Sequence, residues 1–268
     1  MTDELPDLTP EEEDRYAWQF DVRDFGREGQ RRLKGATVLI SRVGGVGGAV
    51  ALQLAAAGIG RLILAHGGNL RRNDLNRQTL MTTDWIDRPR VESARDRLLA
   101  LNPNVQIDMV DQNISETNAA ELVSRCDIVV SSAPLFSERL LMNQEAVRQR
   151  KPLVDSAMYE LEGQLTTVIP GETACLECLY PEAPPMWKRQ FPVFSAVSAT
   201  VGALAAMEVI KVITGVGESL AGRLLLFDLR EMRFRTLPIE RRQDCVQCRA
   251  LCGTDHSRGT TAGTSDDL

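Results

Sequence analysis

Ala36-Thr-Val-Leu-Ile-Ser41-Arg42-Val43-Gly44-Gly45-Val46-Gly47-Gly48-Ala-Val-Ala51 is the stretch that decides the fold. Its first six residues are a short apolar run rich in β-formers, the composition of a buried strand. Glycines follow at 44, 45, 47 and 48, then an Ala/Leu-rich helical segment that ends at Gly58-Ile-Gly60. Residues 62–65 read as a second short strand. A strand, glycine turn, helix, strand unit is best satisfied by parallel strands.

Outward from this unit the alternation continues. Residues 90–101 read as a helix stopped by Asn102-Pro103, 105–110 as a strand, 116–124 as a helix and 127–131 as a buried strand. Residues 137–150 read as a helix, and 152–156 and 164–169 as strands. Upstream, one helix is expected from Thr9-Pro10 to Phe20, with Thr9 as its cap, Pro10 at its first position and acids near its positive end. A short helix ends at Lys34. Alternation of this kind specifies an α/β fold, a doubly wound, Rossmann-like and mostly parallel sheet. The pattern then breaks. Residues 170–192 form a Pro-rich loop, 195–214 a small-residue helix, and 223–228 with 232–237 an antiparallel hairpin. From Gly253 a Gly/Ser/Thr tail is expected to be disordered.

The chain has 268 residues, 43% hydrophobic and 25% charged, with a net charge of -6. That balance is the balance of a soluble globular protein, and it makes nucleic acid or an anionic membrane a poor partner. No apolar run approaches bilayer length, and Met1-Thr-Asp-Glu-Leu-Pro-Asp7 lacks the basic start and apolar core of a secretory signal. The expected setting is cytoplasmic, with reduced cysteines. Cys175-x-x-Cys178 and Cys245-x-x-Cys248 then point to one tetrahedral zinc ion, structural because four thiolates close its shell. The competing readings are two redox pairs or four idle thiols. A redox pair follows a strand at a helix start, whereas these pairs sit in turn-like sequence flanked by Pro and Gly. Cys126 and Cys252 read as incidental. The expected divisions are an N-terminal helical arm (1–35), one Rossmann-like domain with a zinc clasp (36–252) and the tail (253–268).

The glycine turn alone is a weak nucleotide signal, because its register, Arg42-Val43-Gly44-Gly45-Val46-Gly47, has an arginine at the first glycine of G-x-G-x-x-G. Its neighbours sharpen it. The order is Arg15-Tyr16, Gly29-Gln30, Ala55-Ala-Ala-Gly-Ile-Gly60, Leu75-Asn-Arg77-Gln78, Val91-Glu-Ser-Ala-Arg95 and Leu101-Asn-Pro103. Glu162-Gly-Gln164, the first cysteine pair, Ala206-Met-Glu-Val-Ile-Lys211 and the second pair complete it. This order resembles the MoeB/ThiF/HesA family, bacterial relatives of ubiquitin-activating enzymes, from about Arg15 to Cys248. The resemblance implies a homodimer that binds Mg-ATP at the glycine turn (Gly44, Gly45, Gly47, with Arg42 and Gln78). It implies adenylation of the C-terminal Gly-Gly carboxylate of a ubiquitin-like sulfur-carrier protein, with Arg77 and Arg90 as the candidate catalytic cations and a four-cysteine zinc site.

Several family positions are altered. The Asp-x-Asp after the second strand, whose first acid binds ribose, reads His66-Gly67-Gly68. The magnesium-holding acid after the fourth strand is Ser131, the catalytic lysine is Arg90, and the arginine sent into the partner's site is Trp18. Asp74 opens the Asn-Leu-x-Arg-Gln motif in place of asparagine, and Lys188 falls where some members carry a thioester cysteine. Blander readings stand beside these. Gly44 and Gly47 serve helix–strand packing, Arg77 is a surface or interface ion-pair residue, and His66 is a solvated loop residue. Trp18 is core or dimer contact, and Met158 and Met207 are core. Three functions follow. One is an impaired or inactive member that scaffolds a carrier or pairs with an active paralogue. Another is an active adenylyltransferase with a rearranged site, Arg42, Arg77 and Arg90 on phosphates and Asp74 or Asp127 on magnesium. The third is a binder of another nucleotide or anion.

Overall fold

The computed structural model describes residues 5–182 and 191–252. The N-terminal segment holds α1 (Pro10–Arg15), α2 (Ala17–Phe20) and α3 (Gly26–Gly35). Thr9 and Glu12 close a capping box, the Thr9 Oγ1 accepting from Glu12 N at 3.2 Å and the Glu12 carboxylate from Thr9 N at 2.8 Å. The single helix expected up to Phe20 is broken at Tyr16, whose ring is buried and whose hydroxyl accepts from Asn102 Nδ2 at 2.7 Å. That tertiary contact outweighs local helix propensity.

Then come β1 (Thr37–Ser41), α4 (Gly45–Ala57), β2 (Arg61–Ala65), α5 (Arg90–Leu101), β3 (Gln106–Val110), α6 (Ala119–Ser124) and β4 (Ile128–Ser131). After α7 (Phe136–Arg148) the chain forms β5 (Leu153–Tyr159) and β6 (Glu162–Val168), then α8 (Leu176–Leu179), α9 (Ser195–Thr214), β7 (Arg223–Asp228), β8 (Arg233–Pro238) and α10 (Val246–Cys252). One sheet runs in the order β3-β2-β1-β4-β5-β6-β7-β8. It is parallel from β3 to β5 and antiparallel from β5 to β8. Leu39 of β1 lies opposite Ile63 of β2 and Val129 of β4, so β1 is flanked on both sides by parallel partners. The chain order reverses there, and ligands of open α/β sheets bind beyond the strand ends at such a reversal.

Alternation along β1 sends Val38 and Ile40 to one face and Leu39 to the other. The first face packs against α3, α4, α5 and α9 through Leu33, Leu54, Leu98 and Val209. The second packs against α6 and α7 and carries the cysteines of both pairs. α9 corrects the expectation that no apolar run reaches bilayer length: by length and composition it qualifies. Here it is a core helix, its Val197, Val201, Ala205 and Val209 buried against α4 and β5. Its buried Glu208 carboxylate accepts from Thr167 Oγ1 at 2.8 Å and from the Leu220 N–H at 2.5 Å. The expected loop after residue 170 contains the short α8, which Cys175 caps and which includes Cys178. Lys188 and the expected disordered tail lie outside the described residues.

Candidate functional site

At the end of β1, Arg42 adopts a left-handed backbone (φ 60°), the conformation glycine takes at no cost. The Gly44 N–H donates back to the Arg42 carbonyl at 2.5 Å, so the chain reverses tightly before α4. A Cβ on Gly47 would lie 2.6 Å from that same carbonyl, and one on Gly45 2.8 Å from Ser198 Oγ. Packing therefore accounts for Gly45 and Gly47. It does not account for Gly44, where a Cβ meets nothing nearer than 3.6 Å. Gly47→Ala is expected to cost about 1–3 kcal/mol by forcing backbone apart. Gly48→Ala, one residue on and with no added contact nearer than 3.6 Å, is expected to be neutral or stabilising by up to about 1 kcal/mol. Paired thermal melts check the contrast.

Above the turn lies a cleft lined by Arg42, Gly44, Gly45, Arg77, Gln78 and Arg90, so six of the sequence-derived site residues do converge. Gly47 lies beneath the turn. The arginines are differently employed from expectation. Arg42 clamps Glu138 of α7, with Nε to Oε2 at 2.8 Å and the terminal nitrogen at 2.6 Å. Arg90 holds Asp74 at 2.7 Å, and Arg77 reaches the other oxygen of Asp74 at 3.3 Å. Burial alone would raise the Asp74 carboxyl, but the Arg90 hydrogen bond and the Arg71 N–H hold it below the usual range. Arg139 also lines the cleft and clamps Asp155 of β5, with Nε to Oδ1 at 3.0 Å. Sequence reasoning missed Glu138, Arg139, Asp155 and Ser198. The signal was a charged pair in the first turn of α7, directly after the Ser131-Ser-Ala-Pro-Leu135 turn.

Other expectations need correction. His66 is buried, 7% exposed, and is no solvated loop residue. Burial, with Arg90 and Arg42 nearby, pulls its imidazole down to about 3, so it is neutral near pH 7. Asp127 cannot hold magnesium in this cleft, because its carboxylate accepts from the Thr37 N–H at 2.8 Å, at the opposite end of the strands. Trp18 is 94% exposed and is no core residue of this chain. Met207 is 40% exposed, and Met158 lines the cleft. Magnesium does not fit the cleft. Asp74 is the one carboxylate among its described lining residues, and its two oxygens are taken by guanidinium groups. Glu138 and Asp155 behind it are likewise paired.

The four cysteines form a second centre. Cys175, Cys178, Cys245 and Cys248 are all buried, and their sulfurs lie within 4.8 Å of one another. The cross-pair distances are 3.6 Å for Cys175–Cys245 and 3.5 Å for Cys178–Cys248. Tetrahedral zinc with bonds near 2.3 Å needs sulfurs roughly 3.8 Å apart, so the donor set fits that ion. Burial pushes Cys175 up to about 11. For Cys178 burial acts the same way but is outweighed by backbone donors, the Arg242 N–H reaching its sulfur at 3.4 Å. N–H···S bonds of this kind stabilise a ligating thiolate. A metal held here would pin the segment after β6 to α10 and chemically would do nothing else, since no ligand position is left open.

These features define a Rossmann-like α/β protein with a glycine turn at the sheet's reversal and a buried four-thiol cluster that could hold a metal. A profile of the ThiF family matches residues 16–249. The heterocyst protein HesA of Trichormus variabilis is 46% identical over 248 residues, covering 92% of this chain and 91% of its own. The sulfur carrier protein adenylyltransferase of Thermus thermophilus is 38% identical over 249 residues, covering 90% and 92%. The crystal structure of E. coli MccB with MccA-N7isoASN shares the fold at a TM-score of 0.78 and 25% identity, over 87% of this chain and 74% of that one. The chain belongs to the ThiF family, the ubiquitin-activating-enzyme-like adenylyltransferases that act with sulfur carriers.

Proposed function

We propose that this protein engages the C-terminal Gly-Gly tail of a ubiquitin-like sulfur-carrier protein, and that its own adenylation of that tail is slowed or lost. One observation carries the second half. The carboxylates at the cleft are bound to arginines, where magnesium chemistry needs them available. The first half is supported by the family and by a groove that continues from the cleft through Arg139, Ala157 and Met158 to Gln164, Tyr180 and Arg233. A peptide tail has a path there toward the glycine turn. In this reading the protein works in the cytoplasm as a dimer, with itself or with an active paralogue.

The test is ATP–pyrophosphate exchange with a purified carrier ending in Gly-Gly, beside an active relative. Carrier binding is expected, with exchange slower by at least about 10²-fold, the effect of losing one transition-state electrostatic group. Exchange at the relative's rate, saturating in Mg-ATP, overturns the proposed impairment. Absence of carrier binding overturns the proposed partner.

A further inference from the structure

The four sulfurs of the cysteine cluster are matched across two segments of the chain. Cys175 Sγ lies 3.6 Å from Cys245 Sγ, and Cys178 Sγ lies 3.5 Å from Cys248 Sγ. These two contacts use each sulfur once, and each joins residues 70 apart in the chain. A disulfide bond is about 2.05 Å long, so closing either contact asks for a movement of roughly 1.5 Å. Small side-chain rotations cover that distance.

The match does not depend on a metal alone. The Arg241 guanidinium donates to the Thr173 carbonyl, from Nε at 3.3 Å and from a terminal nitrogen at 3.2 Å. The Arg242 N–H donates to Cys178 Sγ at 3.4 Å. α10 packs against α7, and Asn143 of α7 accepts from the Leu176 N–H at 2.9 Å. Protein contacts therefore hold the two segments side by side even when the sulfurs carry no ion. Of the four buried cysteines Cys178 is the most open, at 8% exposed, so a small oxidant meets it first.

We infer that the cluster is a redox-sensitive clasp: a peroxide converts it to the two disulfides Cys175–Cys245 and Cys178–Cys248, which keep the segments joined after a bound zinc ion has left. The inference concerns the thiols and is independent of the cleft and of the carrier.

The chemistry balances. The Cys178 thiolate attacks one peroxide oxygen, an S–O bond forms, the O–O bond breaks, and the departing hydroxide takes up a proton as water. The Cys248 thiolate then attacks the Cys178 sulfenic acid. The S–S bond forms, the S–O bond breaks, and the oxygen leaves as a second water. Cys175 and Cys245 consume a second peroxide in the same way. Four thiolates, two peroxides and four protons give two disulfides and four waters, and the electrons lost by sulfur are gained by the peroxide oxygens. A disulfide sulfur is no longer a thiolate ligand, so the oxidised site gives up its zinc.

The experiment treats the purified full-length chain, its zinc content measured first, with hydrogen peroxide. The sequence holds 6 cysteines, and titratable thiols are expected to fall to about two per chain as about two equivalents of peroxide are consumed. About one zinc per chain is expected to appear in a metallochromic indicator assay. Peptide mass spectrometry without reduction is expected to find Cys175 linked to Cys245 and Cys178 linked to Cys248. In EDTA the oxidised chain is expected to melt within about 5 °C of the zinc-bound form, and the reduced chain about 10 °C or more below it.

Four results each overturn the inference: disulfides within either Cys-x-x-Cys pair, sulfinic or sulfonic acids in place of disulfides, thiols that survive peroxide, or an oxidised chain that melts in EDTA as low as the reduced one. If the purified chain carries no zinc, the disulfide map decides by itself, cross-segment links supporting the clasp and any other pairing removing it.

Discussion

Cys248→Ser, or prolonged exposure to a zinc chelator, is expected to lower the melting temperature by about 10 °C or more and to release one zinc per chain. The four buried sulfurs lie within 4.8 Å of one another on the second face of the sheet. Without the ion they are crowded thiols that gain little from each other. With it, the binding free energy becomes folding free energy for the segments it joins. Loss on the order of 5 kcal/mol corresponds to a shift of roughly 10–20 °C for a domain of this size. Metal analysis and calorimetry before and after chelation check it, and an unchanged melting temperature with no zinc released overturns the metal centre. The groove proposed for the carrier tail is lined by other residues, so carrier binding at temperatures below the melt is expected to survive.

Asp155→Ala is expected to be comparably damaging for a different reason. Arg139 and Asp155 are each 2% exposed, and the guanidinium stacks over Phe136 with its carbon 4.5 Å from the ring centroid. Removing the carboxylate strands a buried cation, at about 3–5 kcal/mol. Removing both charges, as in Arg139→Met with Asp155→Leu, is expected to recover most of that loss, because the pair's mutual attraction mainly offsets its own desolvation. Urea unfolding of the two single variants and the double variant measures the coupling. A double variant as unstable as the sum of the singles contradicts the assignment of the loss to an unpaired charge.

The sequence and the structure divide unevenly over the site. The strand–glycine–helix unit, the alternation after it and the cysteine spacing are local patterns, and each reappears in the structure within a few residues. Gly44, Gly45, Arg77, Gln78 and Arg90 reach one cleft because their motifs sit at strand ends on one side of the sheet. Arg42 was legible as a departure, but its occupation was not. Its partner Glu138 lies 96 residues further on, brought there by the β1–β4 crossover. Met207 is not the core residue expected, and of the two readings of Trp18 the core one falls, because an amphipathic pattern marks a helix face and does not say what covers it.

The amino-acid sequence by itself determined the α/β class, the mostly parallel sheet with a glycine turn after its first strand, and the four thiols that could hold a metal. These follow from period, glycine placement and ligand spacing, which are properties of neighbours in the chain. Only the tertiary structure decided that His66 is buried with an unpartnered nitrogen, and that Arg42, Arg90 and Arg139 are held by Glu138, Asp74 and Asp155. Burial and ion pairing depend on which distant side chains share a low-dielectric space, and that is settled when the sheet closes over its helices.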